Sequence, residues 1–396
     1  MKRAVLLGVL AGSLIFAAAA SGQRAARSDR KQGPTSVVFV QTNEPAGNKI
    51  VVYDRANDGS LTRAGTYATG GNGGVATPGT ESDHLASQGS LAYDAADRLL
   101  IAVNAGSDSV STFGVSGNVL RLESVVPSGG QFPASIAVHD RLVYVLNSGG
   151  TGTVQGFRIA DDRLAPIPGS ARSLGLANTD PPFFLSSPGQ VGFTPDGRQL
   201  LVTTKASGSL IDAFQVGPDG RLSSAPVANP SVTPVPFAFT FTPSARLAVG
   251  EAGASAVSTY VVQPDGTLAD PKSQPDGQVA LCWIVRVGQY YYVSNTGSNT
   301  LSGYTIAADG QPSLIGATGV VATTEPGPID TTSPPGTNFL YAETGGGTVD
   351  EFAVNGDGTL TPLGTVGGLP VGIEANGRIT WFPSATREAI EALSRR

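Results

Sequence analysis

The chain has 396 residues, of which 40% are hydrophobic and only 14% charged, and its net charge at neutral pH is −6. Such a chain offers no basic surface to nucleic acid or to an anionic membrane, so neither is expected as a partner. The single cysteine, Cys282, excludes an internal disulfide, and the chain is long enough to bury a large core without one.

The first 22 residues have the pattern of a secretory signal peptide. Lys2 and Arg3 form a basic start, residues 4–16 form a short apolar run, and alanines at positions 18–20 provide a cleavage site. A membrane anchor is the alternative, although the apolar run is short for a spanning helix of about 20 residues. We therefore predict a cleaved signal peptide over residues 1–22, a basic disordered leader over residues 23–35, and export to the periplasm or the extracellular space.

From residue 36 onward, one sequence unit recurs seven times. Each unit has an apolar run that ends in a polar residue, a second run that carries an aromatic, and a turn followed by a leucine. In five units the turn is Asp-Gly, a strong hairpin signal because glycine accepts the positive φ that the turn requires. The repeated aromatics are Tyr53, Phe113, Phe157, Phe214, Tyr260, Tyr304 and Phe352.

The repeat predicts an all-β protein, a seven-bladed β-propeller of four-stranded blades over residues 36–383. The first unit lacks an inner strand, so we expect the C-terminal part of the chain to supply it and to close the ring by pairing the two ends. Residues 370–374 are the predicted closing strand. Residues 384–396 predict a short C-terminal helix.

Two connections between units are long, over residues 70–88 and 170–187. Both lead from the outer strand of one predicted blade to the inner strand of the next, so both lie on the same face of the ring. Long loops in compact domains are usually functional or disordered, which makes this face the predicted binding face for a small polar ligand, a glycan or a protein. Phe183 and Phe184 could cover the channel mouth there, or simply pack over the blades.

Polar residues follow the apolar run in most units. Glu251 and Glu343 are predicted at equivalent positions, and Asn104, Asn147 and Asn295 at or near the same place. Two interpretations remain open: a polar ring that binds a ligand at the channel mouth, or side chains that satisfy backbone groups at strand ends.

The remaining chemistry-bearing residues are few. His84 is predicted at the surface and His139 in a structural turn, whereas Cys282 is predicted to be a buried small hydrophobe. No phosphate loop, metal-binding helix or nucleophile elbow occurs, so no cofactor and no metal are expected.

Residues 144–147 (Tyr-Val-Leu-Asn), 292–295 (Tyr-Val-Ser-Asn) and 194–198 (Thr-Pro-Asp-Gly-Arg) resemble the YVTN-type repeats of the lactonase-like propeller family. That family includes 6-phosphogluconolactonase-like proteins and carboxy-cis,cis-muconate lactonizing enzymes. The resemblance covers roughly residues 36–382 and implies the same seven-bladed fold. It also implies an active site of histidine, arginine and glutamate near the central channel.

The chain departs from the family pattern at that site. The positions that carry histidine or arginine in the family are filled by other residues here, whereas Gln190 and Glu251 are retained; the replacements are Ser187, Gly189, Phe237, Ala238 and Thr296. Lactone chemistry needs a proton-transfer group and a positive charge near the developing oxyanion, and these side chains provide neither.

Two functions therefore remain open. The first is an exported binding module, monomeric, that has lost the catalytic histidine and arginine and binds a ligand or protein, with Gln190, Asn104, Asn147 and Asn295 as candidate ligand-binding residues. The second is a lactonase or cyclase for a neutral lactone or sugar-derived substrate. Its catalytic candidates are Glu251 as base, Lys205 as electrostatic partner, and Glu343.

Overall fold

The computed structural model describes residues 36–77, 83–370 and 380–383. These residues form thirty β-strands and one short 3-10 turn, Ala105–Ser107. The predicted signal peptide, leader and C-terminal helix lie outside the described residues.

The strands form seven antiparallel sheets, numbered here as blades along the chain. Blade 1 contains β1 (Ser36–Gln41), β2 (Lys49–Arg55) and β3 (Leu61–Ala68). Blade 2 contains β4 (Leu91–Asp94), β5 (Leu99–Asn104), β6 (Ser109–Ser116) and β7 (Val119–Pro127). Blade 3 contains β8 (Pro133–His139), β9 (Leu142–Asn147), β10 (Thr153–Ala160), β11 (Arg163–Pro166) and β12 (Arg172–Ser173). Blade 4 contains β13 (Gln190–Phe193), β14 (Gln199–Thr203), β15 (Leu210–Gln215) and β16 (Val227–Pro230).

Blade 5 contains β17 (Pro236–Phe241), β18 (Leu247–Glu251), β19 (Ala256–Val262) and β20 (Leu268–Pro275). Blade 6 contains β21 (Leu281–Val287), β22 (Tyr290–Asn295), β23 (Thr300–Ile306), β24 (Pro312–Leu314) and β25 (Val320–Thr323). Blade 7 contains β26 (Pro328–Thr332), β27 (Phe339–Thr344), β28 (Thr348–Val354) and β29 (Leu360–Val366). The last strand, β30 (Thr380–Pro383), completes blade 1. The predicted seven-bladed propeller is thus confirmed.

A C-terminal strand closes the ring, as predicted, but it is not the expected segment. β30 pairs antiparallel with β1, with Thr380 opposite Phe39 and Pro383 opposite Ser36. The prediction of residues 370–374 as the closing strand was therefore wrong in position; of that segment, residues 371–374 lie outside the described residues. Both segments are short and partly apolar, so their sequence pattern does not distinguish them, and β30 begins about ten residues after the start of the predicted segment.

The repeated aromatic explains how the blades pack. Apolar side chains form a separate buried cluster at each of the seven blade interfaces. In every cluster the aromatic of one blade packs against the apolar strand of the blade before it, as Phe113 does against Phe39 and Tyr260 against Leu201. A flat sheet buries both faces only when it is stacked on its neighbours, so the ring provides the burial that a single blade lacks.

The repeated turns also connect the blades. Each turn between the third and fourth strand of a blade accepts a hydrogen bond from the preceding blade. The donor–acceptor pairs are Tyr67–Asn118, Thr112–Asp162, Tyr144–Gly220, Asn229–Gly266, Thr259–Gly310, Tyr292–Gly358 and Tyr341–Gly59. The Asp-Gly motif therefore has a second role besides reversing the chain.

We expect Tyr341→Phe to weaken the interface between blades 7 and 1. The Tyr341 hydroxyl is buried and donates to the Gly59 carbonyl at 2.7 Å, so its removal leaves that carbonyl unpaired. The expected loss is about 1 to 2 kcal/mol in the free energy of unfolding, measured by urea denaturation. Tyr290→Phe is the matched control, because the Tyr290 hydroxyl donates to the Gly356 carbonyl at the surface and should cost much less. Equal losses in the two variants would contradict the expectation.

Candidate functional site

The two long connections meet each other on one face of the ring. The first lies between β3 and β4 and the second between β12 and β13. The Thr77 amide donates to the Pro182 carbonyl at 2.8 Å, and the Phe184 amide donates back to the Thr77 carbonyl at 3.0 Å. A third bond joins the Gln88 amide to the Gly189 carbonyl at 3.0 Å. The predicted loop-rich face therefore exists as one connected layer.

Part of the first connection crosses the centre of the ring. The Ser87 hydroxyl donates to the Ala134 carbonyl of blade 3 at 2.8 Å, while the Trp283 indole of blade 6 donates to the Ser87 carbonyl at 3.0 Å. The neighbouring Gln88 likewise accepts hydrogen bonds from both blades, from the Ser135 hydroxyl and the Ile284 amide. Blades 3 and 6 are not adjacent in the ring, so Ser87 and Gln88 span the channel between them.

Lys205 holds the two connections together. It follows β14, is 1% exposed, and donates to the Ala86 carbonyl at 2.6 Å, the Phe184 carbonyl at 2.5 Å and the Ser187 hydroxyl at 2.8 Å. One acceptor belongs to the first connection and two to the second. The ammonium also lies 5.1 Å from the centre of the Phe237 ring, a favourable position for a cation beside an aromatic face.

Asp83 is the acidic neighbour of this lysine. Its carboxylate accepts the backbone amides of Leu85, Ala86 and Ser87 at 2.8 to 3.1 Å, which fixes the conformation of the channel-crossing segment. Burial raises the pKa of Asp83 above its usual range, and burial lowers the pKa of Lys205, while each charge favours the ionised form of the other.

A cavity of about 480 Å³ opens beside these two residues, and we call it the loop-face cavity. Its wall is mainly apolar, with two aromatic rings, Phe237 and Trp283, packed edge to face at 5.0 Å. Lys205 is the one cationic side chain among the described residues that line it. The lining residues are Asp83, Ala86, Phe184, Leu185, Lys205, Val235, Phe237, Ala252, Gly253, Val279, Ala280, Cys282, Trp283 and Thr296.

Glu251 lies in a different network. Its carboxylate is fully buried and accepts hydrogen bonds from the hydroxyls of Ser231, Ser258 and Tyr260. Burial raises its pKa, and these hydroxyl contacts partly oppose that rise. None of its partners is a partner of Lys205, and Glu251 is not among the residues that line the loop-face cavity. Among the described residues, only Lys205 of this candidate pair lines the loop-face cavity.

Glu251 and Glu343 occupy different positions in the strand register of their blades. In β18, Leu247 pairs with the repeated aromatic Tyr260, and Glu251 lies four residues after Leu247. In β27, Leu340 pairs with the repeated aromatic Phe352, and Glu343 lies only three residues after Leu340. Successive side chains in a strand point to opposite faces, so the two glutamates are not equivalent, and the prediction that they were is wrong. The residue equivalent to Glu251 in blade 7 is Thr344.

The strand-end asparagines bind nearby loops and hairpins. Asn104 donates to Ser109 and Ser111, and Asn295 donates to Thr300 and Ser302, in each case across the next turn. Asn147 donates to the Ser128 carbonyl at 3.4 Å. All three asparagines are fully buried, so their contacts support the structural interpretation of the polar ring.

Gln190 joins blades 4 and 5 instead of reaching the loop-face cavity. Its side chain donates to the Phe239 carbonyl at 3.3 Å and accepts the Phe239 amide at 2.7 Å. It contributes to a second cavity of about 620 Å³ at the opposite end of the inner strands, which His139 and Arg286 also line. Arg286 is not recognisable from the sequence, because an isolated arginine in an apolar strand carries no motif.

Two single-residue predictions need correction. His84 is only 7% exposed, so the prediction of a surface histidine was wrong; it lies in the connection that folds into the ring. Cys282 lines the loop-face cavity and is half-buried, not fully buried. Burial raises the pKa of its thiol to about 12, which leaves it protonated at neutral pH.

Three of the five positions that the family resemblance singled out contribute to this site. Ser187 is a partner of Lys205, and Phe237 and Thr296 line the loop-face cavity. Gly189 leaves no room for a side chain, because a Cβ there would lie 2.5 Å from the Phe237 carbonyl oxygen. A larger residue at position 189 would therefore require the backbone of blade 5 to move.

Solved structures share this architecture. A proposed 6-phosphogluconolactonase from Bacteroides uniformis is 18% identical, with a TM-score of 0.68 over 88% of this chain and 100% of its own. The periplasmic gluconolactonase of Pseudomonas aeruginosa is 18% identical, with a TM-score of 0.68 over 88% and 99% of the two chains. The chain is therefore similar in fold to these lactonase-type propellers. A protein from Lactobacillus plantarum gives the same result, with 18% identity and a TM-score of 0.69 over 88% and 99%.

At 18% identity, the similarity to these structures shows that the chain shares their fold and nothing further. No protein-family model matches the sequence, and no curated protein matches it. Within the part of the chain that the structure describes, no helix has the length and apolar character needed to cross a membrane.

Proposed function

We propose that this lactonase-like propeller is an exported binding module that holds a small, neutral, largely apolar molecule in the loop-face cavity. The observation that carries the proposal is the composition of the cavity wall. Apolar and aromatic side chains surround one cation, Lys205, whose three N–H groups already have acceptors, and one carboxylate, Asp83. Ligand pockets of this size typically combine an apolar wall with a few polar groups that set orientation.

The charge of a ligand determines whether it can bind in the loop-face cavity. A phosphorylated sugar or a dicarboxylate would lose its hydration inside this cavity and find only one cation, which is already bound to loop carbonyls. Desolvating such an anion without a new partner costs several kcal/mol, so anionic substrates of lactone chemistry are not expected to bind here. A neutral lactone or another neutral ring compound meets no such penalty.

The enzymatic alternative, with Glu251 as base, receives less support. Its carboxylate is occupied by three hydroxyl donors and does not line the loop-face cavity. A general base must come within hydrogen-bond reach of the group that it deprotonates. Because Glu251 is absent from the lining of the loop-face cavity, a substrate held there is not expected to contact its carboxylate.

Calorimetric titration tests the proposal with three probes: δ-decalactone, 6-phosphogluconate and muconate. We expect saturable binding of the neutral lactone alone. Ala252→Trp should abolish this binding by filling the loop-face cavity, whereas Ala254→Trp, in the same turn but outside the lining, should not. Saturable binding of either anion, or lactone binding unaffected by Ala252→Trp, would contradict the proposal. Lactone hydrolysis that Glu251→Gln abolishes would instead support the enzyme.

A further inference from the structure

We propose that Lys205 is an amine nucleophile that captures a small aldehyde or ketone with an apolar body as a Schiff base in the loop-face cavity. This inference rests on the same cavity as the proposed function but adds a covalent step. It concerns a different class of ligand, defined by an electrophilic carbonyl carbon rather than by a lactone ring.

The surroundings of Lys205 are those that make a lysine reactive. The side chain is 1% exposed, it lines the loop-face cavity, and the aromatic wall of Phe237 and Trp283 keeps the site poor in water. An amine in such a site loses the hydration that stabilises its protonated form, so the neutral, nucleophilic form gains population. The lowered pKa of Lys205 agrees with this geometry.

The contacts of the nitrogen also suit a neutral amine. Two of its three acceptors, the carbonyls of Ala86 and Phe184, are backbone groups and can hold the two hydrogens of an –NH₂ group. The third, the Ser187 hydroxyl, donates to the Phe184 carbonyl at 2.9 Å and can rotate to donate to a neutral amine instead. The lone pair of a neutral Lys205 would therefore point toward the one partner that can turn away from it.

Asp83 supplies the proton that the reaction needs. In the state with a protonated Asp83 and a neutral Lys205, the amine nitrogen forms a bond to the carbonyl carbon, and the oxygen gains a proton from that nitrogen. The carbinolamine then loses its hydroxyl as water, protonated by Asp83. The products are an iminium ion on Lys205, an Asp83 carboxylate as its counter-ion, and one water molecule, so atoms and charge balance.

The chain has few lysines, so modification of Lys205 can be compared directly with modification of the others. The sequence has five lysines, of which Lys49, Lys205 and Lys272 lie in the described residues. Lys49 pairs with Glu44 at 2.8 Å and Lys272 with Asp309 at 3.0 Å, and neither lines the loop-face cavity. They serve as internal references for ordinary lysine reactivity.

The experiment treats the folded protein with benzaldehyde and sodium cyanoborohydride at neutral pH, followed by peptide mapping by mass spectrometry. We expect a benzyl adduct on Lys205 that forms at least about tenfold faster than on Lys49 or Lys272, because each unit of pKa lowering raises the neutral fraction about tenfold. Lys205→Arg keeps the positive charge and should lose this adduct, whereas Lys272→Arg should leave it unchanged.

Ala252→Trp gives a second test that leaves the lysine in place, and blocking the cavity should suppress labelling of Lys205. An unmodified Lys205 in protein with normal circular dichroism, or equal rates at all three lysines, would overturn the inference. Binding of δ-decalactone without any Lys205 adduct would overturn this inference alone. An adduct without lactone binding would instead contradict the proposed function.

Discussion

A chain that ends at Leu369 is expected to lose the cooperative thermal unfolding of the intact ring. The truncation removes β30, which pairs with four residues of β1, and β1 is buried along its whole length. Without β30, the apolar inner edge of blade 1 is exposed and the contact between blades 1 and 2 loses its innermost strand. The loss should exceed about 5 kcal/mol, comparable with the entire stability of many domains.

A chain that ends at Pro383 is the matched control for this truncation. It retains β30 and its pairing with β1, so its melting curve, followed by circular dichroism, should resemble that of the full chain. If the chain that ends at Leu369 melted like the other two, closure of the ring by β30 would not contribute to stability. Exposed strand edges also promote association, so the shorter chain should aggregate on heating.

The fold was predictable because its determinants are local and repeated. The aromatic, the Asp-Gly turn and the following leucine lie within one hairpin, and seven copies reveal the period. The position of the closing strand was not predictable in the same way. β30 joins β1 across almost the whole chain, and no repeat marks a strand that occurs once.

The candidate site was predictable only in part, because it depends on contacts between loops. The sequence indicated the loop-rich face and Lys205, but not that Lys205 binds the Ala86 carbonyl 119 residues away. Asp83 is not among the candidate residues that the sequence indicates. Its place in a loop rich in glycine and serine is compatible with an aspartate that binds its own following amides, as Asp83 does.

The structure also defines a second repeated position, two residues before each aromatic. In blades 2, 5 and 6 this residue is a serine, and each serine binds the strand-end residue of its own blade; the three are Ser111, Ser258 and Ser302. Blade 4 has Asp212 there, 4% exposed. Within the described part of the chain, its Oδ1 has no hydrogen-bond partner. Blade 7 has Asp350, which accepts the Glu325 amide and the Thr365 hydroxyl.

We therefore expect Asp212→Ser to stabilise the protein at pH 7.5. Burial raises the pKa of Asp212 from 3.8 to about 6. Between about pH 4 and 6, the folded state binds a proton that the unfolded state has lost. This aspartate therefore lowers the free energy of unfolding as pH rises through that window, and the loss is complete above it.

The expected gain from Asp212→Ser is about 2 to 3 kcal/mol at pH 7.5 and close to zero below pH 4. Urea denaturation of both proteins across pH 3.5 to 8 measures this difference, with Asp265→Ser as the control, because this exposed turn carboxylate accepts the Thr267 amide and hydroxyl and its removal should not stabilise. A difference that does not change with pH would show that Asp212 is equally ionised in the folded and unfolded states.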